Sequence, residues 1–380
     1  MKLGRPLLLA LLLAGSWHGG VLHAATLTVA PGQSLRDTLR RATDGDVIEI
    51  VAGAHHGQVG VIEQRRLTLR GVGGRPVLFA DGQHAEGKAM LVVRNGDVHI
   101  DNLEFRGVRV PDGNGAGIRF ERGRLRVTRC AFIDNQNGIL TANFRDAELT
   151  VQDSEFAAAP AGTSLPHLLY VGRIARLTLS GSRFSGGNQG HLVKSRAREH
   201  HVFYNQLVDG PEGQAAYELE FPNGGLAWVV GNVIGQSPRT SNPTLVSFGA
   251  EGSDDREQGL FMAHNTLVND GLRPGLFVRV HELAKPVAQQ FVNNLAVGLG
   301  LGPLALADPT QGNFSALPAV LQDMSVGLYA LSLDSMYRGL AVPQGTARGV
   351  PLQPAAEFTP PAGTRPISPR SRWSPGAFQD

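Results

Sequence analysis

One cysteine in 380 residues, Cys130, rules out an intrachain disulfide. It falls at a position where equivalent segments of the chain carry Ser or Asn, so it reads as a packed turn residue and not as a nucleophile. A chain this long can bury a large core and does not need cross-links even outside the cell. A surplus of charge is missing too. The sequence holds 35 Lys and Arg against 33 Asp and Glu, and removing Lys2 and Arg5 with the leading segment leaves 33 of each. This excludes the basic surplus of a nucleic-acid binder. No apolar run is long enough to span a membrane: that at residues 7–14 is too short, and nothing later replaces it. The run follows Met1-Lys2-Leu3-Gly4-Arg5 and leads to the small residues Ala24 and Ala25, the pattern of a secretory signal peptide cut near Ala24. The protein is therefore expected in the periplasm or outside the cell, as a monomer.

What the chain does have is a ladder. Leu103, Cys130, Ser154, Ser182, Asn205, Asn232, Asn265 and Asn294 each stand two residues before an apolar one, Phe105, Phe132, Phe156, Phe184, Leu207, Ile234, Leu267 and Ala296. The steps between them run from 23 to 33 residues. A strand-turn unit of that length marks a solenoid whose coils bury their apolar sides only by stacking. The four Asn read as a structural ladder, amide stacked on amide inside the coil bend. Short strands such as Leu125-Arg126-Val127-Thr128 alternate with Gly, Asn and Asp turns, and no long helical period interrupts them.

Three segments follow: a signal peptide at 1–24, a solenoid with an N-terminal cap at 25–300, and an irregular cover at 301–380. In the cap, Ser34 precedes Leu35, Leu39 and Ala42, with Asp37 three residues on, which predicts a short capped helix over the open end. In the cover, eight prolines between Pro343 and Pro375 argue against regular strands. The whole resembles the right-handed parallel β-helix of pectate-lyase-like proteins, an all-β fold. The handedness comes from that likeness and from the right-handed rule for parallel crossovers.

Strand alternation predicts which side chains leave the coil. It turns Tyr170, Lys194, Arg196, Glu218, Glu220, Glu251, Arg279 and His281 outward, with Thr141 and Asn143 on the same face in earlier coils. Coils stack about 4.8 Å apart, so the five coils from Tyr170 to His281 form a polar stripe roughly 20 Å long. Such a line suits a linear polymer. His55-His56 and His200-His201 lack metal-ligand spacing and read as surface loops, as does Asp254-Asp255-Arg256-Glu257.

Lys194-Ser195, followed by Tyr204-Asn205 at the ladder, resembles the Lys-Ser element of the chondroitinase B and alginate lyase group. The resemblance implies a lysine base and a calcium ion held by Asn and Glu side chains against the uronate carboxylate. Lys194 matches the lysine, and Glu218 and Glu220 approximate the metal ligands. The group's Arg-His-Gly element is absent; Glu220-Phe221-Pro222-Asn223-Gly224-Gly225 stands there, so the acid role passes to Tyr170, Arg196 or His191. Gly190-His191-Leu192-Val193-Lys194-Ser195-Arg196 and Pro222-Asn223-Gly224-Gly225 also resemble strings in a group of bacterial β-helix proteins.

The expected function is a secreted or periplasmic polysaccharide lyase cleaving an acidic, uronate-containing glycan by β-elimination. Lys194, Arg196 and Tyr170 are the candidate catalytic residues. Lys194 would serve as base with its pKa lowered by Arg196, Arg196 or a calcium ion would neutralise the carboxylate, and Tyr170 would serve as acid. Glu218, Glu220, Glu251, Arg279, His281 and His191 are the candidate substrate contacts. Two alternatives stand beside this: glycoside hydrolysis by paired carboxylates, with Glu218, Glu220 and Glu251 as candidates, and a non-catalytic glycan-binding or envelope-structural β-helix.

Overall fold

The computed structural model describes residues 24–162, 165–252, 255–282 and 286–379. The expected signal peptide up to residue 23, and Asp254 of the acidic loop, lie outside the described residues. Among the described residues three long parallel sheets wrap one core, with 11, 10 and 11 strands. Sheet A contains strands such as Arg124–Thr128, sheet B three-residue strands such as Ala131–Ile133, and sheet C strands such as His191–Ser195. Each coil passes from C to A to B, and strands pair only with their counterparts one coil away. The architecture is the expected parallel β-helix.

The bend from A to B is the same in every central coil. Asn102, Arg129, Asp153, Gly181, Tyr204, Gly231, His264 and Asn293 adopt left-handed φ between 49° and 68°. The following residue then turns its side chain into the coil. Cys130 N–H donates to Ser154 Oγ at 3.1 Å, Ser182 N–H to Asn205 Oδ1 at 2.9 Å, and Asn205 N–H to Asn232 Oδ1 at 2.9 Å. The ladder runs on through Asn265 and Asn294 to Asn313. Each Asn amide also donates to a carbonyl of the preceding coil, as Asn232 Nδ2 does to Val202 O. Buried backbone groups at a bend that no sheet can satisfy are thus paired. Two residues on, Phe105, Phe132, Phe156 and Phe184 stack with ring centroids 5.0, 4.7 and 4.5 Å apart. Each ring is fully buried, worth about 2–3 kcal/mol of burial.

The cap forms as predicted: the helix Leu35–Arg41 begins at Ser34, whose side chain accepts from the Asp37 N–H, and buries Leu35 and Leu39. It lies against Gly60, where an added Cβ would come within 2.3 Å of Leu39 Cδ1. The proline-rich segment runs back along the outside of sheet A. Leu352 and Ala347 join Trp228, Val230, Phe261 and Ala263 in a second buried cluster, and the Trp228 indole N–H donates to Ala347 O. Antiparallel strand pairs of only two or three residues form within it, with Pro351 and Pro366 at strand ends.

The histidine pairs differ from expectation. His55 and His200 are strand residues with no exposed surface, because alternation turns them inward.

Candidate functional site

The outer face of sheet C carries the candidate residues. Register sets Arg119, Leu140, Tyr170, Lys194, Glu220, Ser247 and Arg279 in one file, a coil apart from each other. A second outward file holds Asn137, His167, His191 and Tyr217. Its rings stack, His167 on His191 at 4.7 Å and His191 on Tyr217 at 5.0 Å, while His167 also stacks on Tyr170 at 5.2 Å.

Arg196, just past its strand, ties the site together. Its Nε–H donates to Tyr170 Oη at 3.1 Å, Nη1 to Asn223 Oδ1 at 3.1 Å, and Nη2 to Glu251 Oε1 at 2.8 Å, with a further contact from Nη1 to Glu251. Burial works against this guanidinium's charge, yet the hydrogen bonds to Glu251 and Tyr170 outweigh it and raise its pKa. The same hydrogen bond holds Glu251 below the usual carboxylate range. Lys194 Nζ lies 3.1 Å from Glu220 Oε2 and 4.0 Å from Glu251 Oε1. Glu251 therefore stands between the two cations, so Arg196 does not face Lys194 as a bare like charge.

His191 Nε2 reaches Glu220 Oε2 at 3.4 Å, and its Nδ1 lies 3.0 Å from His167 Nδ1. Burial first, then the charges of Lys194 and Arg196, push His167 down to about 3. Burial likewise drives His191 well below its ordinary value. Both rings are neutral at physiological pH and act as hydrogen-bonding, stacking surfaces.

Supporting residues hold this arrangement. Arg256, expected in a solvated loop, is 5% exposed, and its Nη1 donates to the carbonyls of Arg196 and Ala197 at 3.0 and 2.8 Å. His200 bridges Ser195 Oγ at 3.0 Å and Gly224 O at 3.1 Å. Pro222-Asn223-Gly224-Gly225 turns through left-handed φ at both glycines, and the Glu251 N–H donates to Pro222 O at 2.7 Å. The turn and Glu251 together form one wall beside Arg196.

Glu218 is a correction. It was expected to face outward beside Glu220, but it is 1% exposed, and neither carboxyl oxygen has a hydrogen-bond partner. Its slot is filled in neighbouring coils by Leu192 and Leu245, both fully buried. An added Cβ at Gly117, earlier in the same file, would meet Phe132 and Phe105. Two consecutive positions of each sheet C strand, such as Glu218 and Leu219, thus face the core, and simple alternation fails at that point. Burial, then Asp209, raises the Glu218 pKa well above its usual value. Thr141 is a second correction of the same kind. Leu140 takes the outward place, while Thr141 is buried and its Oγ1 accepts from the Gly172 N–H.

The remaining candidates sit further off. Arg279 lies two coils beyond Glu220, across Ser247, and His281 Nε2 is 3.4 Å from Ser247 Oγ. They line a groove of about 680 Å³ with Val278, Gln289 and Pro303. Among the described residues no group of three or more His, Cys, Asp or Glu is arranged to hold a metal. Glu218 is internal and Glu220 is engaged by Lys194 and His191, so the expected calcium pair does not fit. His167 and Arg119 belong to the site and are not singled out by the sequence, whereas Asn223 sits in the turn that follows Glu220, which the sequence marks as a candidate wall of a cleft. Arg119, between inward Ile118 and Phe120, obeys alternation and was legible.

No protein-family model matches the chain, and no curated protein matches it. Among solved structures, that of pectate lyase Pel9A aligns with a TM-score of 0.62 and 13% identity, covering 95% of this chain and 97% of that one. The PL6 family alginate lyase AlyGC aligns with a TM-score of 0.46 and 15% identity, covering 78% of this chain and 40% of that one. The Pel9A likeness spans nearly the whole of both chains and shows the fold, a pectate-lyase-like parallel β-helix.

Proposed function

We propose that this chain is an exported polysaccharide lyase-like protein that binds a uronate-containing glycan along sheet C and cleaves it by β-elimination. The observation that carries the reading is the grouping of Tyr170 and Lys194 in adjacent coils of one open face, with the Arg196 Nε–H donating to Tyr170 Oη. Elimination needs a base for the proton beside the carboxylate, a donor for the leaving oxygen, and positive charge near the carboxylate. The C–H electron pair becomes the new C=C π bond. The C–O bond breaks with its pair on the leaving oxygen, which takes up a proton.

To take the proton Tyr170 must act as its phenolate, a form the Arg196 Nε–H would stabilise, and it becomes the neutral phenol as the C–H proton arrives. Lys194, an ammonium beside Glu220, then donates to the leaving oxygen. These roles reverse the lysine-base pattern that the lyase resemblance implies, and the Arg196–Tyr170 bond is the reason. Two of the carboxylates considered for hydrolysis are poorly suited to it: Glu218 faces the core, and Glu251 is held by Arg196. The leading segment's basic, apolar and small-residue pattern supports export.

The test is incubation of the purified protein with a panel of acidic polysaccharides, followed by ultraviolet absorbance and reducing-end assays. A rise in absorbance from unsaturated uronate ends is expected on at least one polymer. New reducing ends without that rise would replace elimination with hydrolysis, and binding without turnover on every polymer would replace it with a non-catalytic role.

A further inference from the structure

The cations of the sheet C face are nearly all committed. Lys194 is paired with Glu220 and Arg196 with Glu251, while Lys88 and Arg94 share Glu121 at 2.8 and 2.9 Å. Arg279, further along, is exposed. Arg119 is different. It is half-buried in the outward file between Val92 and Leu140, two apolar residues in register with it one coil to either side. Its Nε is buried without a hydrogen-bond partner, and it enters no ion pair among the described residues. Glu121, two residues on and the one carboxylate whose charge acts on it, is already held by Lys88 and Arg94. Burial lowers the Arg119 pKa and outweighs the opposing charge of Glu121, the mark of a guanidinium stripped of water without an anion paired to it. Its field also reaches Tyr170, two coils away at about 10 Å of coil rise.

A half-desolvated guanidinium in no ion pair is costly to keep unless an anion completes it; its Nε is closed off from solvent, so the terminal amino groups, in a plane that matches a carboxylate, are the donors an incoming anion would meet. We propose that Arg119 is a carboxylate anchor: it binds the carboxylate of an acidic sugar lying along the file on the N-terminal side of Tyr170. This rests on the reading of sheet C as an acidic-glycan face, and it adds polarity to that reading. The chain of sugars runs from Arg119 across Leu140 to Tyr170 and Lys194, and the acid group at the Arg119 end sets its register. Leu140, nearly buried and apolar, supplies the flat surface between them.

The test is calorimetric titration with oligogalacturonate, oligomannuronate and oligoguluronate, each also in methyl-esterified form, on the wild type, Arg119→Gln, Arg119→Lys and Tyr170→Phe. The wild type is expected to bind at least one free-acid oligomer more tightly than its ester. Arg119→Gln weakens that oligomer by about tenfold or more, leaves binding of the ester unchanged and does not lower the thermal midpoint, while Arg119→Lys recovers part of the loss. Wild-type affinity in Arg119→Gln, or no preference of the wild type for any free acid over its ester, would overturn the anchor. The elimination reading fails separately: if Arg119-dependent binding is present but no unsaturated product forms, the anchor stands and the lyase assignment falls.

Discussion

A carboxyl group with neither oxygen hydrogen-bonded, set between Leu192 and Leu245 in successive coils, works against the fold that contains it. Replacing Glu218 by Leu fills the slot as its neighbours do, and the variant should gain about 2 kcal/mol in a denaturant titration. The gain depends on pH in a known direction. The folded protein keeps the Glu218 proton to a pH well above the usual value of 4.5, whereas the unfolded chain releases it near 4.5. Stability from this group therefore falls as pH rises past 4.5, and Glu218→Leu should gain more at pH 8 than at pH 5. An equal gain at both would mean the carboxyl is not held neutral. At this scale the sequence was partly legible. Tyr170, Lys194 and Glu220 lie on one outward file because alternation holds from residue 219 onward in that strand, and from the matching point in its neighbours. Glu218 was misread because the coil turns two adjacent side chains inward at the start of each sheet C strand, which a period of two cannot express. Arg196 and Glu251 meet across 55 residues of sequence, through a turn and a loop that no local pattern describes.

At the scale of elements, the repeating bend does most to fix the coil. Asn232 Oδ1 accepts from both the backbone N–H and the side-chain amide of Asn205, and its own amide donates to Val202 O. Asn232→Ala leaves these buried groups unpaired and should cost about 2–4 kcal/mol, read as a lower denaturant midpoint with the slope unchanged. A loss under 0.5 kcal/mol would show that the neighbouring coils relax to satisfy them. This bend was the most legible part of the chain, since one residue type recurs at a fixed offset from an apolar partner. Its left-handed residue was legible only in part: Gly181, Gly231, Asn102, Asp153 and Asn293 are of types that favour such a conformation, whereas Arg129, Tyr204 and His264 do not advertise it. The ladder hydrogen bonds on either side hold these three there. The proline-rich segment was readable as irregular, but its destination, the outer face of sheet A at Trp228 and Phe261, follows from contacts more than 80 residues away in sequence.

The whole molecule is a stack of interdependent coils, and burial keeps four of its histidines neutral, two on the sheet C face and two inside. Burial takes His167 and His200 down to about 3 and His264 to about 4, and His191 also falls well below its ordinary value. The unfolded chain protonates all four near 6.5, so the folded state binds fewer protons and stability is lost as pH falls from about 6.5 toward 4. Glu218 and Asp209, the latter pushed up to about 6 chiefly by burial, pull the other way, but the histidines outnumber them. The thermal midpoint should therefore drop between pH 7 and pH 4; a flat profile would place the histidines in contact with water. Elimination on the open face of this stack is read most directly from the rate of ultraviolet-absorbing product formed from a responsive polyuronate by the wild type, Tyr170→Phe and Lys194→Ala. Product should rise steadily with the wild type and fall about 100-fold or more in each variant with unchanged folding. A wild-type rate in either variant would contradict the roles given to Tyr170 and Lys194.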